Sequence, residues 1–211
     1  MYMPAAFAQT DVGMLQDTMR AHPLAAIVTV TASGLVANHI PLLIDDAPAP
    51  YGTLRGHIAR ANPMWQSAST ETEALAIFQG PSAYVSPSWY PTTHETGKAV
   101  PTWNYVVVHA YGIIRFAQDA AWLRTNVAAL TERNETGRPS PWSVDDAPAD
   151  FLESLLHNIV GVEIPITRLL GKWKLSQNRA RRDVDAVIQA LDVEPSLSSR
   201  AVADAMRRCR E

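Results

Sequence analysis

The stretch Leu24–Ile44, LAAIVTVTASGLVANHIPLLI, contains two apolar runs separated by a short turn. Leu24–Thr31 is rich in β-branched residues, and Ala32-Ser33-Gly34 supplies the small, flexible residues that favour a turn. The stretch therefore predicts a β-hairpin whose second strand covers Leu35–Ile44. Because Pro41 has no backbone N–H, we expect this second strand at a sheet edge or a bulge.

The rest of the chain mixes further strand and helix patterns. Strands are predicted over Tyr51–Ile58, Glu73–Phe78, Tyr105–Phe116 (with a bend or bulge at Gly112) and Val162–Leu170. Helices are predicted after the N-cap Asp11 and over Asp119–Arg133, Ala149–Ile159, Asp183–Leu191 and Ser196–Arg210. Since strands outnumber helices and several are joined by turns, the predicted fold class is mainly β with α, an antiparallel barrel with peripheral helices.

Length and composition indicate one large domain with a small appendage. The chain has 211 residues, of which 47% are hydrophobic and 18% charged. We predict one domain over residues 1–191 and a C-terminal helical tail over residues 192–211. The single cysteine, Cys209, allows no internal disulfide, and no secretion signal or membrane segment is evident. We therefore expect a cytoplasmic protein.

The net charge of −3 is unevenly distributed along the chain. Residues 1–167 contain 8 Lys and Arg against 15 Asp and Glu, whereas residues 168–211 contain 10 against 6. A basic C-terminal segment can meet nucleic acid, a phosphorylated ligand or an acidic surface of its own fold.

The basic segment includes Lys174-Leu175-Ser176-Gln177-Asn178-Arg179, followed by Arg181 and Arg182. A solvated basic turn before a helix is the structural interpretation of such a run. The interleaved hydroxyl and amide side chains add directed hydrogen bonds, which favour an anion site. The residues alone leave nucleic acid and a small phosphate open as the anion.

Two further segments carry candidate binding residues. Asn38 and His39 lie near the end of the predicted hairpin, and His57, Arg60 and Asn62 lie in the segment GHIARANPMW, residues 56–65. An imidazole or guanidinium there can contact a ligand, but it can equally bond the protein's own backbone. Both interpretations stay open at this point.

Aromatic residues and prolines concentrate in the two segments Gly80–Tyr90 and Pro101–Tyr105. Prolines stiffen loops, and aromatic rings such as that of Trp103 offer flat faces, so a flavin or a nucleobase could stack here. The structural alternative is aromatic filling at a barrel mouth or a subunit interface.

Several reaction classes have no matching motif in the sequence. It contains no phosphate-binding P-loop, no Gly-rich dinucleotide fingerprint, no CxxC pair and no His pair at metal-ligand spacing. It contains no GxSxG nucleophile elbow either. We therefore predict no metal site and no catalytic nucleophile, acid or base from the motifs.

Five ordered motifs together resemble the PaiB family of FMN-binding negative transcriptional regulators. They are MY-x-P (1–4), GH-x-AR-x-NP-x-W (56–65), YVSPSWY (84–90), VPTWNY (100–105) and KLSQNR (174–179). The resemblance extends from Met1 to about Leu191. It implies a split β-barrel of the FMN-binding type, a homodimer with flavin near the subunit interface, and a role in repression of gene expression.

The resemblance and the residue chemistry together give a predicted FMN site. Its residues are Asn38, His39, His57, Arg60, Asn62, Trp103, Asn104, Lys174, Ser176, Gln177, Asn178 and Arg179. Arg181 and Arg182 are predicted to point outward as a nucleic-acid contact, which makes DNA a second candidate partner. No membrane partner is expected.

Two alternatives to the regulator stay open at the level of sequence. One is a flavin reductase, or an oxidase of the pyridoxamine-phosphate type, on the same barrel; the cofactor then performs the electron chemistry and His39 or His57 supplies protons. The other is a barrel that has lost its flavin and acts through protein contacts.

Overall fold

Residues 1–210 are described by a computed structural model and contain ten β-strands and seven α-helices. The strands are β1 Ala8–Gln9, β2 Leu24–Thr31, β3 Gly34–Pro41, β4 Leu43–Asp45, β5 Thr53–Ala59, β6 Ala74–Val85, β7 Thr102–Gly112, β8 Arg115–Ala117, β9 Ile159–Pro165 and β10 Arg168–Lys174. The helices are α1 Val12–Ala21, α2 Met64–Ser67, α3 Pro91–Thr96, α4 Ala120–Glu135, α5 Ala149–His157, α6 Arg181–Val193 and α7 Leu197–Arg208.

The strands form two antiparallel sheets. The first has six strands in the order β1-β10-β7-β6-β2-β3, and the second has four in the order β4-β5-β9-β8. The chain divides into two compact units: unit 1 comprises residues 1–15, 79–108 and 170 onward, and unit 2 comprises residues 16–78 and 109–169. Strands β6, β7 and β10 each contribute residues to both units.

The predicted hairpin is confirmed in unit 2. Strands β2 and β3 pair antiparallel from Leu24 opposite Pro41 to Thr31 opposite Gly34. Alternate residues of β2, such as Ala25 and Ile27, are completely buried, as the two-residue period of a strand requires. β3 is the edge strand of its sheet, which is where a proline without an N–H can be accommodated.

Four strand predictions need correction. The predicted second hairpin strand Leu35–Ile44 ends at Pro41 as β3, and Leu43–Asp45 forms the separate strand β4 of the other sheet. The predicted single strand Val162–Leu170 is a pair, β9 and β10, interrupted between Pro165 and Arg168. Strand β6 extends well past the predicted end at Phe78, through Gly80-Pro81 to Val85, and a Cβ at Gly80 would lie 3.0 Å from the Val106 side chain. The predicted strand Tyr105–Phe116 is interrupted at Gly112, where a bend or bulge was expected and where a Cβ would lie 2.1 Å from the Pro165 carbonyl oxygen. Its last part is a separate strand, β8, in the other sheet.

The helices of unit 2 cover their own apolar cluster. Helix α4 begins after Asp119, whose carboxylate accepts a hydrogen bond from the Trp122 N–H at 2.8 Å. Leu123 of α4 packs with Leu152 and Leu156 of α5. The predicted first helix is confirmed too, with Asp11 accepting from the Met14 N–H at 2.9 Å.

The C-terminal helices belong to unit 1. Helix α6 buries Val187 and Leu191, and α7 packs on it and buries Val202 and Met206. The predicted boundary between a domain over residues 1–191 and a tail over residues 192–211 stays a prediction, and α6 runs across it to Val193.

No helix within residues 1–210 is long and apolar enough to cross a membrane. The same residues contain no group of three or more His, Cys, Asp or Glu side chains that could hold a metal ion.

Candidate functional site

Strand β10 presents two lysines in unit 1. Lys172 and Lys174 are two residues apart, so their side chains leave the same face of the strand. Lys172 is 8% exposed, donates to the Tyr2 carbonyl oxygen at 3.1 Å and lies 5.5 Å from the centre of the Tyr105 ring. Lys174 donates to the Thr102 hydroxyl and to the Trp103 carbonyl oxygen, both at 2.6 Å.

The turn after β10 contains a strained serine. Ser176 has φ 66°, and it is the one non-glycine residue within residues 1–210 with positive φ. This left-handed conformation disfavours a side chain, so the surroundings must hold it. Asn104, which is completely buried on β7, donates to the Ser176 hydroxyl at 3.0 Å and accepts from it at 3.2 Å.

A cavity of about 160 Å³ opens beside this turn. Its lining consists of Phe7, Tyr90, Val100, Thr102, Lys174, Ser176, Asn178 and Arg179. The Arg179 guanidinium carbon lies 4.9 Å from the centre of the Tyr90 ring, a cation–π distance. Four residues of the predicted site, Lys174, Ser176, Asn178 and Arg179, therefore meet in one cavity, which we call the Lys174 cavity.

The Lys174 cavity has excess positive charge. Within residues 1–210, no carboxylate lies in ion-pair distance of Lys172, Lys174 or Arg179, although eight arginines elsewhere have such partners. Partial burial lowers the pKa of Lys174, and the charges of Lys172 and Arg179 lower it further. An anion bound here would relieve this repulsion.

The other predicted residues of unit 1 lie around the cavity without lining it. Gln177 is exposed and closes its own turn, donating to the Trp173 carbonyl oxygen at 2.6 Å and accepting from the Leu175 N–H at 2.7 Å. Trp103 is 56% exposed and makes an edge-on contact with Tyr84, with ring centres 6.1 Å apart. Asn104 contacts the cavity only indirectly, through its hydrogen bonds to Ser176.

The two arginines predicted to face outward differ in their surroundings. Arg182 donates to both carboxylate oxygens of Glu95, at 2.7 and 2.5 Å, and this contact raises the pKa of the guanidinium. Arg181 is exposed and has no ion-pair partner within the described residues. A phosphate would therefore have to compete with Glu95 for Arg182 but not for Arg181.

In unit 2, Arg60 is used by the fold. Its guanidinium donates to the carbonyl oxygens of His157 and Ile159, at 2.6 and 3.0 Å, and to the Gln118 side chain at 2.8 Å. The Trp65 indole donates in turn to the Arg60 carbonyl oxygen at 2.9 Å. Arg60 thus joins the end of β5 to the segment between α5 and β9.

The predicted asparagines of unit 2 form a pair that shapes a loop. Asn62 donates to the Asn38 side-chain oxygen at 2.7 Å and accepts from the Met64 N–H at 2.9 Å. His39 is exposed on the edge strand β3. These contacts account for the asparagines structurally, and their predicted role toward a cofactor stays a prediction.

His57 is the half-buried histidine of the predicted set. Burial lowers its pKa, so the imidazole is neutral near pH 7. Its Nδ1 lies 3.4 Å from the Asn126 side-chain nitrogen. Asn126 itself is 4% exposed, and its Oδ1 has no hydrogen-bond partner.

Comparison with known proteins decides the family. Residues 1–168 match the family FMN_bind_2, described as "Putative FMN-binding domain". The chain belongs to this family. Family membership confirms, at the level of the family, the cofactor predicted from the sequence, FMN. A second comparison places the chain with the PaiB group. The chain is 32% identical to the protease synthase and sporulation protein PAI 2 of Bacillus subtilis, over 98% of its own length and 96% of the relative's.

Other relatives of this family member extend the comparison. An uncharacterized protein of Emericella nidulans is 34% identical, covering 98% of this chain and 96% of its own. Among solved structures, a flavocytochrome of Azotobacter vinelandii has a TM-score of 0.57 at 12% identity, over 79% of this chain and 69% of that one. An FAD- and heme-binding protein of Mycobacterium smegmatis has a TM-score of 0.55 at 16% identity, over 85% of this chain and 79% of that one. At this identity the likeness is one of fold, and the predicted split β-barrel with peripheral helices is confirmed.

The chemistry of the Lys174 cavity fits the phosphate of FMN. Lys174 and Arg179 supply charged donors, while Ser176 and Asn178 can supply neutral ones. Sequence analysis missed the cavity residues Thr102 and Tyr90 as well as the adjacent Lys172. The alternation Lys172-Trp173-Lys174 was the available signal for the last of these, because it places two lysines on one strand face.

Proposed function

We propose that this chain binds FMN with the phosphate in the Lys174 cavity. The observation that carries the proposal is the group Lys172, Lys174 and Arg179, which has no carboxylate partner within residues 1–210. Lys174 and Arg179 line the cavity, and Lys172 lies next to them on β10. Native proteins rarely leave partly buried cations unpaired, so such a group indicates a missing anion. When bound, FMN supplies one- and two-electron chemistry.

The energetics favour the phosphate as the group held most tightly. A hydrogen bond between charged partners contributes about 1.5–3 kcal/mol, compared with about 1 kcal/mol for a neutral pair. Ser176 is held in a strained conformation by Asn104 before any ligand arrives. The donors are therefore preorganised, which lowers the entropy cost of binding.

A comparison of FMN with riboflavin, which has no phosphate, tests the assignment. We expect FMN to bind the protein at least tenfold more tightly than riboflavin, measured by quenching of flavin fluorescence. Lys174→Ala should weaken FMN about 10- to 100-fold and leave riboflavin nearly unchanged. Arg208→Ala is the matched control, because Arg208 is an exposed cation of α7 outside the cavity. Equal affinity of the wild-type protein for FMN and riboflavin would contradict the proposal.

The biological role we propose is that of a PaiB-like negative regulator of gene expression in the cytoplasm. The support is the full-length similarity to the sporulation protein of B. subtilis. Transcript profiling of a strain lacking the gene, complemented with wild type or Lys174→Ala, tests it: derepression in the deletion that only the wild type reverses is expected. An unchanged transcript profile in the deletion strain would remove the regulatory role.

The regulator is proposed to act as a homodimer. The support is the exposed apolar surface of the β2–β3 hairpin in unit 2, where Leu24 and Leu35 are 63% and 75% exposed. Light scattering after gel filtration should give twice the chain mass of 23.1 kDa. Leu35→Glu should shift the protein toward the monomer.

Direct DNA binding is a further element of the proposal. Of the two predicted contacts, Arg181 is the one available to a phosphate, because Arg182 is held by Glu95. Filter binding at increasing salt should show a slope that Arg181→Ala reduces by about one. An unchanged slope would exclude this contact.

The second candidate function, an FMN-dependent oxidoreductase, rests on His57. A neutral imidazole has one N–H and one free nitrogen, as proton transfer requires, and burial keeps His57 neutral at pH 7. Anaerobic mixing of the FMN-loaded protein with reduced nicotinamide discriminates between the candidates. Rapid bleaching of the flavin favours the enzyme, and no bleaching over minutes removes the reductase.

A further inference from the structure

A second cavity of unit 1 lies between the turn after β10 and the C-terminal helices. It is an open groove of about 680 Å³. Its lining consists of Leu175, Gln177, Arg179, Arg181, Val184, Met206, Arg207, Cys209 and Arg210. We call it the arginine groove, since four of its nine lining residues are arginines.

The four arginines of the groove are not equally neutralised. Arg207 is paired with Asp192 and Asp204, and Arg210 is paired with Asp185. By contrast, Arg179 and Arg181 have no carboxylate partner within residues 1–210. Two arginines of the groove therefore lack a carboxylate partner, and the four arginines together with their three carboxylates carry a net charge of +1.

The floor of the groove is apolar. Leu175, Val184 and Met206 line the groove with apolar side chains, although each is less than a tenth exposed and so contributes only a small apolar area. Water against these side chains loses hydrogen bonds, and an apolar chain that displaces it removes apolar surface from water. Apolar side chains next to two arginines without carboxylate partners fit an organic anion with a hydrocarbon chain.

Arg179 lines both the arginine groove and the Lys174 cavity. A carboxylate in the groove that pairs with Arg179 draws this guanidinium away from a phosphate in the Lys174 cavity. Two anions that share one cation bind antagonistically, and the antagonism is reciprocal at equilibrium.

From this arrangement we infer that the arginine groove binds a small organic anion with an apolar chain, which acts as an effector and weakens FMN binding through Arg179. The effector part rests on the proposed FMN function, whereas groove occupancy does not. The ligand class is defined by one carboxylate or phosphate group on a medium-length hydrocarbon chain.

The groove contains its own reporter, because Cys209 is the single cysteine of the chain and is exposed there. Flavin-free full-length protein is treated with iodoacetamide, a neutral reagent, and the alkylation rate is followed by mass spectrometry. We expect octanoate to slow alkylation at least fivefold and saturably. Acetate, which has the charge without the chain, and 1-octanol, which has the chain without the charge, should have little effect.

Arg181→Gln should abolish protection of Cys209 by octanoate. Arg200→Gln should retain it, because Arg200 is exposed on α7, has no ion-pair partner within the described residues and lies outside the groove. No protection by octanoate, equal protection by acetate, or protection that survives Arg181→Gln would each overturn the site. Because Arg181 is also the proposed DNA contact, protection by duplex DNA overturns the site only when octanoate gives no protection at all, and it then assigns the groove to nucleic acid.

The coupling is measured separately from occupancy. Saturating octanoate should weaken FMN binding about tenfold in the wild type and in Arg200→Gln, but not in Arg181→Gln. Protection of Cys209 together with an unchanged FMN affinity would overturn the effector role alone. A protein that binds octanoate but no flavin would refute the proposed FMN function and leave the groove intact.

Discussion

Asn104 and Ser176 exchange two hydrogen bonds in the interior of unit 1, 3.0 Å from the amide nitrogen to the hydroxyl and 3.2 Å from the hydroxyl to the amide oxygen. Both residues are buried, and Asn104 also lies 3.5 Å from the Met206 sulfur of α7. The pair fixes a left-handed serine between Lys174 and Asn178. It therefore determines how the donors of the Lys174 cavity are presented.

We predict that Asn104→Ala lowers the free energy of unfolding by about 1–3 kcal/mol, because it leaves the buried Ser176 hydroxyl without its partner. Ser176→Gly should change it by less than about 1 kcal/mol, since the lost hydrogen bond is offset by relief of the left-handed strain. Urea denaturation of both variants measures the difference. Equal destabilisation by the two substitutions would mean that φ at position 176 carries no strain.

The pKa of Lys174 gives FMN binding a distinctive pH dependence. Burial and the neighbouring cations lower this pKa from its ordinary value of 10.5, so the ammonium loses its proton earlier than an exposed lysine. FMN affinity should therefore fall as the pH rises from about 7 to about 10. Lys174→Arg should flatten the profile, because a guanidinium stays charged throughout this range. Fluorescence titrations of the two proteins across the range make the comparison.

The fold was predictable where the signal was local. The hairpin β2–β3 follows from alternation on either side of Ala32-Ser33-Gly34, and all of that information lies within the stretch itself. The extension of β6 through Gly80-Pro81 was not predictable, because glycine and proline usually end strands. The close approach of the Val106 side chain to Gly80 cannot be seen in the local sequence. That contact involves a residue 26 positions later in the sequence.

The candidate site follows the same division. Lys174, Ser176, Asn178 and Arg179 are close in sequence, so their convergence on one cavity could be predicted. The hydrogen bonds of Arg60 to the backbone could not be predicted, since its acceptors His157 and Ile159 lie about a hundred residues away in the sequence. A guanidinium in a sequence motif looks the same whether it binds a ligand or the backbone of its own fold.

Arg60 therefore supports a prediction about stability rather than binding. Arg60→Ala should lower the free energy of unfolding by about 1–3 kcal/mol, because two carbonyl groups and the Gln118 side chain lose a charged donor. Arg60→Lys should rescue only part of this, since one ammonium cannot reach three divergent acceptors. FMN affinity of folded Arg60→Lys should match the wild type, and a loss above tenfold would restore Arg60 to the cofactor site.

His57 should make the protein less stable in mild acid. Its folded-state pKa lies below the ordinary value of 6.5, so the unfolded chain binds the proton more tightly than the folded one. The free energy of unfolding is then unaffected above pH 6.5 and falls as the pH drops from 6.5 toward the folded-state pKa. His57→Gln should reduce the loss between about pH 7 and about pH 5, while burial also lowers the pKa of His22 and of His109, and these two leave a residual slope. Retention of the full acid-induced loss in His57→Gln would contradict this assignment.

Asp183 and Arg182 are neighbours at the start of α6, but substitution of Asp183 should lower stability much more than substitution of Arg182. Asp183 is 2% exposed and accepts from the Thr92 hydroxyl at 2.7 Å and the Thr92 N–H at 3.1 Å, which anchors α3 next to Tyr90 of the Lys174 cavity. Asp183→Ala should cost about 1–3 kcal/mol of stability and weaken FMN severalfold, because two donors lose their acceptor and the Tyr90 wall loosens. Arg182→Ala removes an exposed pair that solvent already screens, so little change is expected. Thermal melts with and without FMN compare the two variants. Equal effects would show that the contact between Arg182 and Glu95 anchors α3 as strongly as the contact between Asp183 and Thr92.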